Sequence, residues 1–165
     1  MDGAEDWRSA ITVIAWDGHT LAADKMACCG DTAVTCTKLR RVEDKVFAWC
    51  GGRGEGQGLI AWYLDGADKD KFPAFQKTDD WALLVIAAPG GVVFYERTPE
   101  PIACEDPYGA WGSGREVALG ALAMGADARR AVEVASLHTH TCGLGVDAFE
   151  LVSGDVIQWK QIKRA

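Results

Sequence analysis

Short apolar runs separated by turn residues dominate the first part of the chain after residue 11. The runs 12–16 and 20–23 flank Asp17-Gly18, and an Asp-Gly pair between two apolar runs predicts a tight β-hairpin. A run rich in Thr and Val at 33–39 and a short apolar run at 45–49 predict two further strands. Residues 12–49 are therefore expected to be mainly β structure.

The middle of the chain changes to helical and loop patterns. Glycines crowd positions 51–58 and open an apolar segment, 59–64, which predicts a helix ended by the following Asp-Gly pair. The charged stretch 65–80 predicts a surface loop, and the runs 81–86 and 92–95 flank a Pro-Gly-Gly turn that predicts another hairpin.

The last third predicts two helices and a closing hairpin. After a proline-bearing loop at 98–107, apolar positions recur at helical spacing over 115–124 and 128–137, with Asp127 as the N-cap of the second helix. The runs 146–152 and 156–159 predict the final strands. Strands and helices come in groups, which favours an α+β fold with two antiparallel sheets and helices outside them.

Composition narrows the class of protein. The chain has 165 residues, enough for one domain, which we place at 12–165 after a polar extension or propeptide at 1–11. The net charge of −7 without a basic stripe argues against a nucleic-acid partner. No apolar run approaches the roughly 20 residues of a membrane span, and the acidic start lacks the features of a signal peptide, so a cytoplasmic location with no membrane partner is expected.

Three polar residues lie at the ends of apolar runs: Thr12, Asp24 and Lys38. If the strands pair as hairpins, their side chains converge at one end of a sheet. A threonine hydroxyl becomes a useful nucleophile when the free α-amine of the same residue acts as base, a nearby ammonium lowers the pKa of both groups, and a carboxylate holds that ammonium. A threonine that merely favours a strand is the alternative interpretation, because Thr is β-branched.

The order of several short motifs resembles proteasome β subunits and the bacterial two-ring peptidase HslV, which are N-terminal-nucleophile hydrolases. The resemblance covers about residues 12–159 and rests on the segments Thr12-Val13-Ile14-Ala15, Leu21-Ala22-Ala23-Asp24, Lys38-Leu39-Arg40-Arg41, Cys50-Gly51-Gly52 and Gly112-Ser113-Gly114. It implies a four-layer αββα sandwich, a threonine-type endopeptidase with no cofactor and no metal, assembly into rings, and a possible AAA+ unfoldase partner that delivers polypeptide substrates.

The resemblance also implies residue roles. Thr12 is the nucleophile, Lys38 and Asp24 tune and orient it, Gly51 donates its backbone N–H to the oxyanion, and Ser113 hydrogen-bonds near the amine. Substrate binding is implied for a short segment of neighbouring residues: Trp49, Cys50 and Gly52. The bulk of the tryptophan predicts a preference for small side chains N-terminal to the cut.

Three positions depart from the family pattern. Ile11 precedes Thr12 where the family usually has Gly or an initiator Met, so cleavage of the Ile11–Thr12 bond is required. The family's late acidic residue aligns with Thr139, and a nearby family serine aligns with Cys142. The last two departures concern the part of the proton relay around Ser113 and leave the core of Thr12, Lys38 and Asp24 unchanged.

Other interpretations remain open from the sequence. The segment 138–142 carries histidines and a cysteine, but it lacks an evident fourth ligand for zinc, and a loop at a helix end is the better interpretation. The glycine run at 51–58 lacks the Gly-Lys-Ser/Thr ending of a phosphate loop. A non-proteolytic amide hydrolase of the same fold and a catalytically silent scaffold protein are the alternative functions.

Overall fold

A computed structural model describes residues 11–151, and in this range the chain forms an α+β fold of antiparallel sheets and three α-helices. No helix in the described range is long and apolar enough to cross a membrane. The order of the elements follows the predicted grouping of strands and helices.

The first sheet has four strands in the order β10-β1-β2-β11. The predicted hairpin is its centre: β1 and β2 pair antiparallel around Asp17-Gly18, and the Asp17 side chain accepts hydrogen bonds from the amides of His19 and Thr20 at 2.9 and 2.7 Å. The strands are β1 (Val13–Trp16), β2 (Thr20–Asp24), β10 (Gly109–Gly112) and β11 (Val146–Glu150).

The second sheet has five strands in the order β5-β6-β7-β8-β9, and β3 and β4 form a separate two-stranded hairpin. The central pair β6 and β7 is almost completely buried, as expected for a sheet covered on both faces. The strands are β3 (Met26–Cys29), β4 (Thr32–Thr35), β5 (Leu39–Val42), β6 (Lys45–Gly51), β7 (Ala82–Ala88), β8 (Gly91–Tyr95) and β9 (Ile102–Ala103).

The helices are α1 (Arg53–Leu64), α2 (Arg115–Ala123) and α3 (Ala128–His138). The predicted cap of α3 is confirmed, since the Asp127 carboxylate accepts from the amide of Arg130 at 2.7 Å. Two short 3-10 helices, Lys69–Lys71 and Ala74–Lys77, lie in the stretch predicted as a surface loop.

Three apolar clusters form the core, and the period of the strands decides which side chain joins which cluster. In β1, Ile14 and Trp16 join a cluster with residues of the five-stranded sheet, whereas Val13 and Ala15 pack with α2 and α3. In β6, Phe47 packs with α1. Side chains on one face of β1 therefore pack toward the five-stranded sheet, and those on its other face pack toward α2 and α3.

Several predicted elements need correction. The run 33–39 is not one strand: β4 ends at Thr35, β5 begins at Leu39, and Lys38 lies in the connection between them instead of late in a strand. Strand β3 was not predicted, and β9 lies inside the loop predicted at 98–107. Helix α1 begins at Arg53, within the glycine-rich stretch that was predicted to open it. The second strand of the predicted last hairpin lies outside the described residues.

Candidate active site

The three polar residues singled out by the sequence meet at one end of the four-stranded sheet. Thr12 immediately precedes β1, Asp24 is the last residue of β2, and Lys38 immediately precedes β5. All three are buried, with 3%, 0% and 3% of their surface exposed. Buried charged residues are uncommon and need partners, so the contacts of this group decide what it can do.

Asp24 has a donor for both of its carboxylate oxygens. Oδ1 accepts from the Lys38 ammonium at 2.8 Å and from the Val13 amide at 2.9 Å. Oδ2 accepts from the amides of Met26 and Gly143 at 3.1 and 3.0 Å. Four donors stabilise the ionised carboxylate, and the carboxylate in turn holds the ammonium of Lys38 at a fixed position.

Lys38 also reaches the peptide bond that precedes Thr12. Its ammonium donates to the Ile11 carbonyl oxygen at 2.9 Å, and the Thr12 hydroxyl donates to the same oxygen. Two donors, one of them charged, withdraw electrons from this carbonyl group. The Ile11–Thr12 peptide is therefore polarised at the bond that must be cut to expose Thr12.

A glycine-serine-glycine turn wraps the other side of Thr12. The Thr12 amide donates to Ser113 Oγ at 3.3 Å, and Ser113 Oγ and the Gly114 amide donate to the Thr12 carbonyl oxygen, both at 3.2 Å. Gly112 adopts a φ of +91°, and a Cβ there would lie 2.3 Å from the Thr12 carbonyl oxygen. Only glycine permits this approach, so the turn fixes both backbone groups of Thr12.

Thr139 and Cys142, the two positions that depart from the family pattern, contact each other. Their Oγ1 and Sγ atoms lie 2.6 Å apart, and the Thr139 hydroxyl also lies 2.9 Å from the Ala135 carbonyl oxygen. Burial raises the pKa of the Cys142 thiol above its usual value, although the hydrogen bond with Thr139 opposes this. Thr139 and Cys142 therefore form a neutral pair, in contrast to the charged Asp24–Lys38 pair.

Thr12 opens into a cavity of about 350 Å³. Gly51 lines it with a φ of +103°, a conformation that favours glycine. Burial raises the pKa of the Cys50 thiol to about 12, so this lining group is neutral. The predicted site residues in the lining are Thr12, Lys38, Trp49, Cys50, Gly51 and Gly52.

Trp49 has a second set of contacts that its predicted role did not include. It is only 4% exposed and packs beneath α1, where a Cβ added at Gly56 would lie 2.2 Å from its ring. Its position at the edge of the cavity therefore depends on a glycine in the helix above it.

One wall of the cavity was missed by sequence reasoning. It comes from the segment 79–81, inside and after the stretch predicted as a surface loop, and from the first turn of α1. No motif marks the segment 79–81, because only the fold returns the segment after α1 to the end of β6. The additional lining residues of this wall are Arg53, Glu55, Asp79, Asp80 and Trp81.

The histidine-rich segment forms the end of a helix and a turn. His138 is the last residue of α3, and residues 139–142 lie in the connection to β11, as predicted. Among residues 11–151, no three His, Cys, Asp or Glu side chains are grouped so that they could hold a metal ion.

Comparison with known proteins finds likeness in structure alone. No family model and no curated protein matches the sequence. BPH from Thiobacillus denitrificans in complex with epoxomicin matches with a TM-score of 0.66 and 22% identity over 85% of this chain and 98% of that chain. A second BPH structure from the same organism matches with a TM-score of 0.66 and 23% identity over 87% and 100%.

Eukaryotic HslV from Trypanosoma brucei matches with a TM-score of 0.66 and 19% identity, over 84% of this chain and 98% of that chain. The similarity covers nearly the full length of each of these three chains. The predicted resemblance to HslV is thus confirmed at the level of the fold: this chain has the fold of the HslV and BPH chains.

Proposed function

We propose that this protein is a threonine-type endopeptidase whose nucleophile is Thr12, exposed by cleavage of the Ile11–Thr12 bond. The observation that carries the proposal is the buried Asp24–Lys38 pair, whose ammonium lies 2.9 Å from the Ile11 carbonyl oxygen beside the Thr12 hydroxyl. A buried ion pair costs desolvation energy and is weak evidence for stability alone. Its position against a reactive hydroxyl at a cavity is typical of a functional site.

The first step is self-cleavage. The Thr12 hydroxyl oxygen attacks the Ile11 carbonyl carbon, and the negative charge that develops on the carbonyl oxygen is stabilised by the Lys38 ammonium. The C–N bond then breaks, the former amide nitrogen takes the proton that the Thr12 hydroxyl has lost, and Ile11 is held as an ester on Thr12. Water hydrolyses this ester, which leaves a carboxylate on Ile11 and a free amine and hydroxyl on Thr12.

The second step is turnover of substrate by the same groups. The new amine lies at the Thr12 nitrogen beside Ser113 Oγ and titrates near ~7.7–8.0 when unperturbed, so it can accept the hydroxyl proton as the oxygen attacks a substrate carbonyl. That proton then goes to the leaving amine, and water hydrolyses the ester. In this account Gly51 donates its N–H to the oxyanion, and Trp49, Cys50 and Gly52 contact the substrate.

The structural likeness supports the wider proposal. The contacts between the sheets and their helices support a four-layer αββα sandwich over the domain 12–165. The fold shared with HslV supports assembly into rings, with unfolded polypeptides as substrates and an AAA+ unfoldase as a possible partner. A cytoplasmic location and freedom from cofactors belong to the same proposal.

Covalent labelling tests the proposal directly. The BPH chain is known in complex with epoxomicin, and we expect this compound to add to Thr12 of the processed protein, as read by mass spectrometry of the N-terminal peptide. Casein and fluorogenic peptides test turnover, and a preference for large side chains before the cut would contradict the role given to Trp49. Processed protein that cleaves neither substrate and resists epoxomicin would overturn the proposal.

A small-molecule amide hydrolase is the second candidate. The cavity volume of about 350 Å³ lies at the lower end of the range for small-ligand sites, and the chemistry at Thr12 would be the same. A monomer that hydrolyses small amides and leaves casein intact would favour this function over the endopeptidase.

A further inference from the structure

Gln76 is a buried polar residue outside the group around Thr12. It lies in the 3-10 helix Ala74–Lys77, is 0% exposed, and ranks among the largest fully buried side chains of the described range. Buried amides cost free energy unless they are hydrogen-bonded. Its contacts therefore need an explanation that the proposed chemistry does not supply.

The carboxamide of Gln76 hydrogen-bonds to both backbone groups of Ala82, the first residue of β7; this pair of hydrogen bonds is called the clasp below. Its Oε1 accepts from the Ala82 amide and its Nε2 donates to the Ala82 carbonyl oxygen, both at 2.9 Å. Nε2 also donates to the carbonyl oxygen of Glu96, the residue after β8. The side chain thus makes the hydrogen bonds to Ala82 that a neighbouring strand would make, at the point where β8 has ended.

This clasp determines which way Ala82 presents its backbone. In an antiparallel sheet the N–H and C=O of one residue point to the same side, and paired positions alternate between hydrogen-bonded and non-hydrogen-bonded types. Ala82 pairs with Gly51 on its other side. Because both backbone groups of Ala82 are directed to Gln76, the Gly51–Ala82 pair is of the non-hydrogen-bonded type, and the Gly51 N–H is not used for pairing with β7.

The same clasp fixes the wall of the cavity. Gln76 closes a short loop, residues 77–81, whose last three residues line the cavity. A Cβ at Gly51 would lie 2.7 Å from the Trp81 carbonyl oxygen and 2.9 Å from the Ala82 Cα, so the Trp81–Ala82 backbone sets the position of Gly51. Arg97 adds a second hold, since it donates to the Thr78 carbonyl oxygen at 2.9 Å and lies 4.6 Å above the Trp81 ring.

We propose that Gln76 is a positioning residue for the reaction at Thr12: its clasp on Ala82 holds Gly51 so that the Gly51 N–H faces the oxyanion of the substrate. The inference rests on the proposed function and adds to it a residue that touches neither substrate nor Thr12. Loss of one oxyanion donor costs about 10²- to 10³-fold in kcat, and a misplaced donor costs part of that.

The test compares kcat and KM of processed wild type with those of Gln76→Ala, Gln76→Asn and Gln76→Glu, each at a temperature where folding is complete by circular dichroism. We expect kcat to fall about 10- to 100-fold, in keeping with the cost of misplacing a reacting group, with KM changed less than about threefold. Val92→Ala is the matched control, because Val92 is 4% exposed and pairs with Ala87 at the opposite end of the sheet. It should lower stability and leave kcat unchanged.

Gln76→Glu supplies a readout that a purely structural role would not change. A neutral carboxyl can accept from the Ala82 amide and donate to a carbonyl oxygen, whereas a carboxylate facing those oxygens can only repel them. Burial favours the neutral form, so kcat of Gln76→Glu relative to wild type should rise as the pH falls. If Gln76→Ala does not fold, this ratio, measured at the acid end of the range where wild type is active, carries the test.

The outcomes separate the two proposals. Inactive wild type overturns the proposed function. Active wild type with folded Gln76 variants at wild-type kcat, or a Gln76→Glu ratio that does not change with pH, overturns the role of Gln76.

Discussion

The two sides of Thr12 are held by different kinds of interaction. On one side the buried Asp24–Lys38 pair contacts the Ile11 carbonyl through a charge-assisted hydrogen bond of 2.9 Å. On the other side Ser113 makes neutral hydrogen bonds of 3.2 and 3.3 Å, and the Cys142 thiol, which contacts the Thr139 hydroxyl, lies against Gly114 of the same turn.

Under the proposed function, this difference predicts which side of Thr12 contributes charge to catalysis. Charge-assisted hydrogen bonds are roughly twice as strong as neutral ones, and a charge held away from water acts strongly on a developing oxyanion. Under the proposed function, the charged side therefore supplies most of the activation of Thr12, and the neutral side adjusts the position of its amine. Thr139 and Cys142, where the sequence departs from the pattern that it resembles, lie on the neutral side.

Loss of the Lys38 charge should have the largest effect. Lys38→Met keeps an unbranched chain but removes the ammonium, and we expect kcat/KM to fall at least about 10³-fold, with self-cleavage slowed to a similar degree. Lys25→Met is the control, since the partner of Lys25 is the part-exposed Asp147 at 3.1 Å, and its activity should stay within about twofold. Equal losses in the two variants would show that the buried Lys38 ammonium contributes no more to activity than a part-exposed lysine does.

Asp24→Asn should weaken both stability and activity. The Lys38 side chain is 4% exposed, and removal of one partner of a buried pair costs about 3–5 kcal/mol. For a domain of this size that lowers Tm by roughly 6–20 °C, and we expect kcat/KM to fall about 10²-fold. Thermal melts beside Asp147→Asn check the result; a Tm within about 2 °C of wild type would show that Asp24 is not the anchor of this side.

Ser113→Ala should have a moderate effect. It removes neutral hydrogen bonds to Thr12, each worth about 1 kcal/mol, so we expect kcat to fall about tenfold. The pH at which activity rises should also shift, because the Thr12 amine loses the Ser113 hydroxyl as a neighbour. Steady-state kinetics from pH 6 to 9 measure both. A loss as large as that of Lys38→Met would mean that the two sides contribute equally.

Cys142→Ser should have a smaller effect than any of these. A hydroxyl keeps the hydrogen bond with Thr139 and adds no charge, so we expect kcat to change less than about threefold. The measurement is kcat of the processed variant on the peptide that wild type cleaves best. A gain or loss above tenfold would place a catalytic proton on this thiol.

Thiol reactivity tests the burial of the thiols around Thr12 without a mutation. Burial raises the pKa of Cys50 to about 12 and also raises that of Cys142, whereas Cys28 and Cys29 are exposed. Since thiolate is the reactive form, native protein treated with iodoacetamide at pH 8 should be labelled at the exposed pair and spared at the two buried thiols, as read by peptide mapping. Rapid labelling of Cys142 would contradict its burial beside Thr139.

Local patterns predicted the elements that local chemistry determines. The Asp-Gly turn between β1 and β2 and the Asp127 cap of α3 are short-range features, and both were predicted correctly. The meeting of Asp24 and Lys38 was also predicted, but its geometry was not. Asp24 ends β2 of the four-stranded sheet and Lys38 precedes β5 of the five-stranded sheet, so their contact joins two sheets instead of lying at one end of a single sheet. What that prediction lacked was the carbonyl of Ile11 as a third partner.

The failures share a physical cause, which is that tertiary contacts override local preference. Glycines disfavour a helix by about 1 kcal/mol each, so local preference gives no reason for a glycine at position 56, yet Gly56 is required there because the Trp49 ring fills the space of a Cβ. Gln76 gave no signal in a charged stretch, since its partners Ala82 and Glu96 reach it only through the pairing of β7 and β8. The division of 33–39 between β4 and β5 likewise depends on which strands pair.

The most direct test of the central claim is the intact mass of purified wild type beside Thr12→Ala and Thr12→Ser. We expect wild type and Thr12→Ser to lose residues 1–11 and to begin at position 12. Thr12→Ala should keep residues 1–11 attached, because it has no hydroxyl to attack the Ile11 carbonyl carbon. Loss of the same residues from all three proteins, or retention in all three, would contradict self-cleavage by the Thr12 hydroxyl.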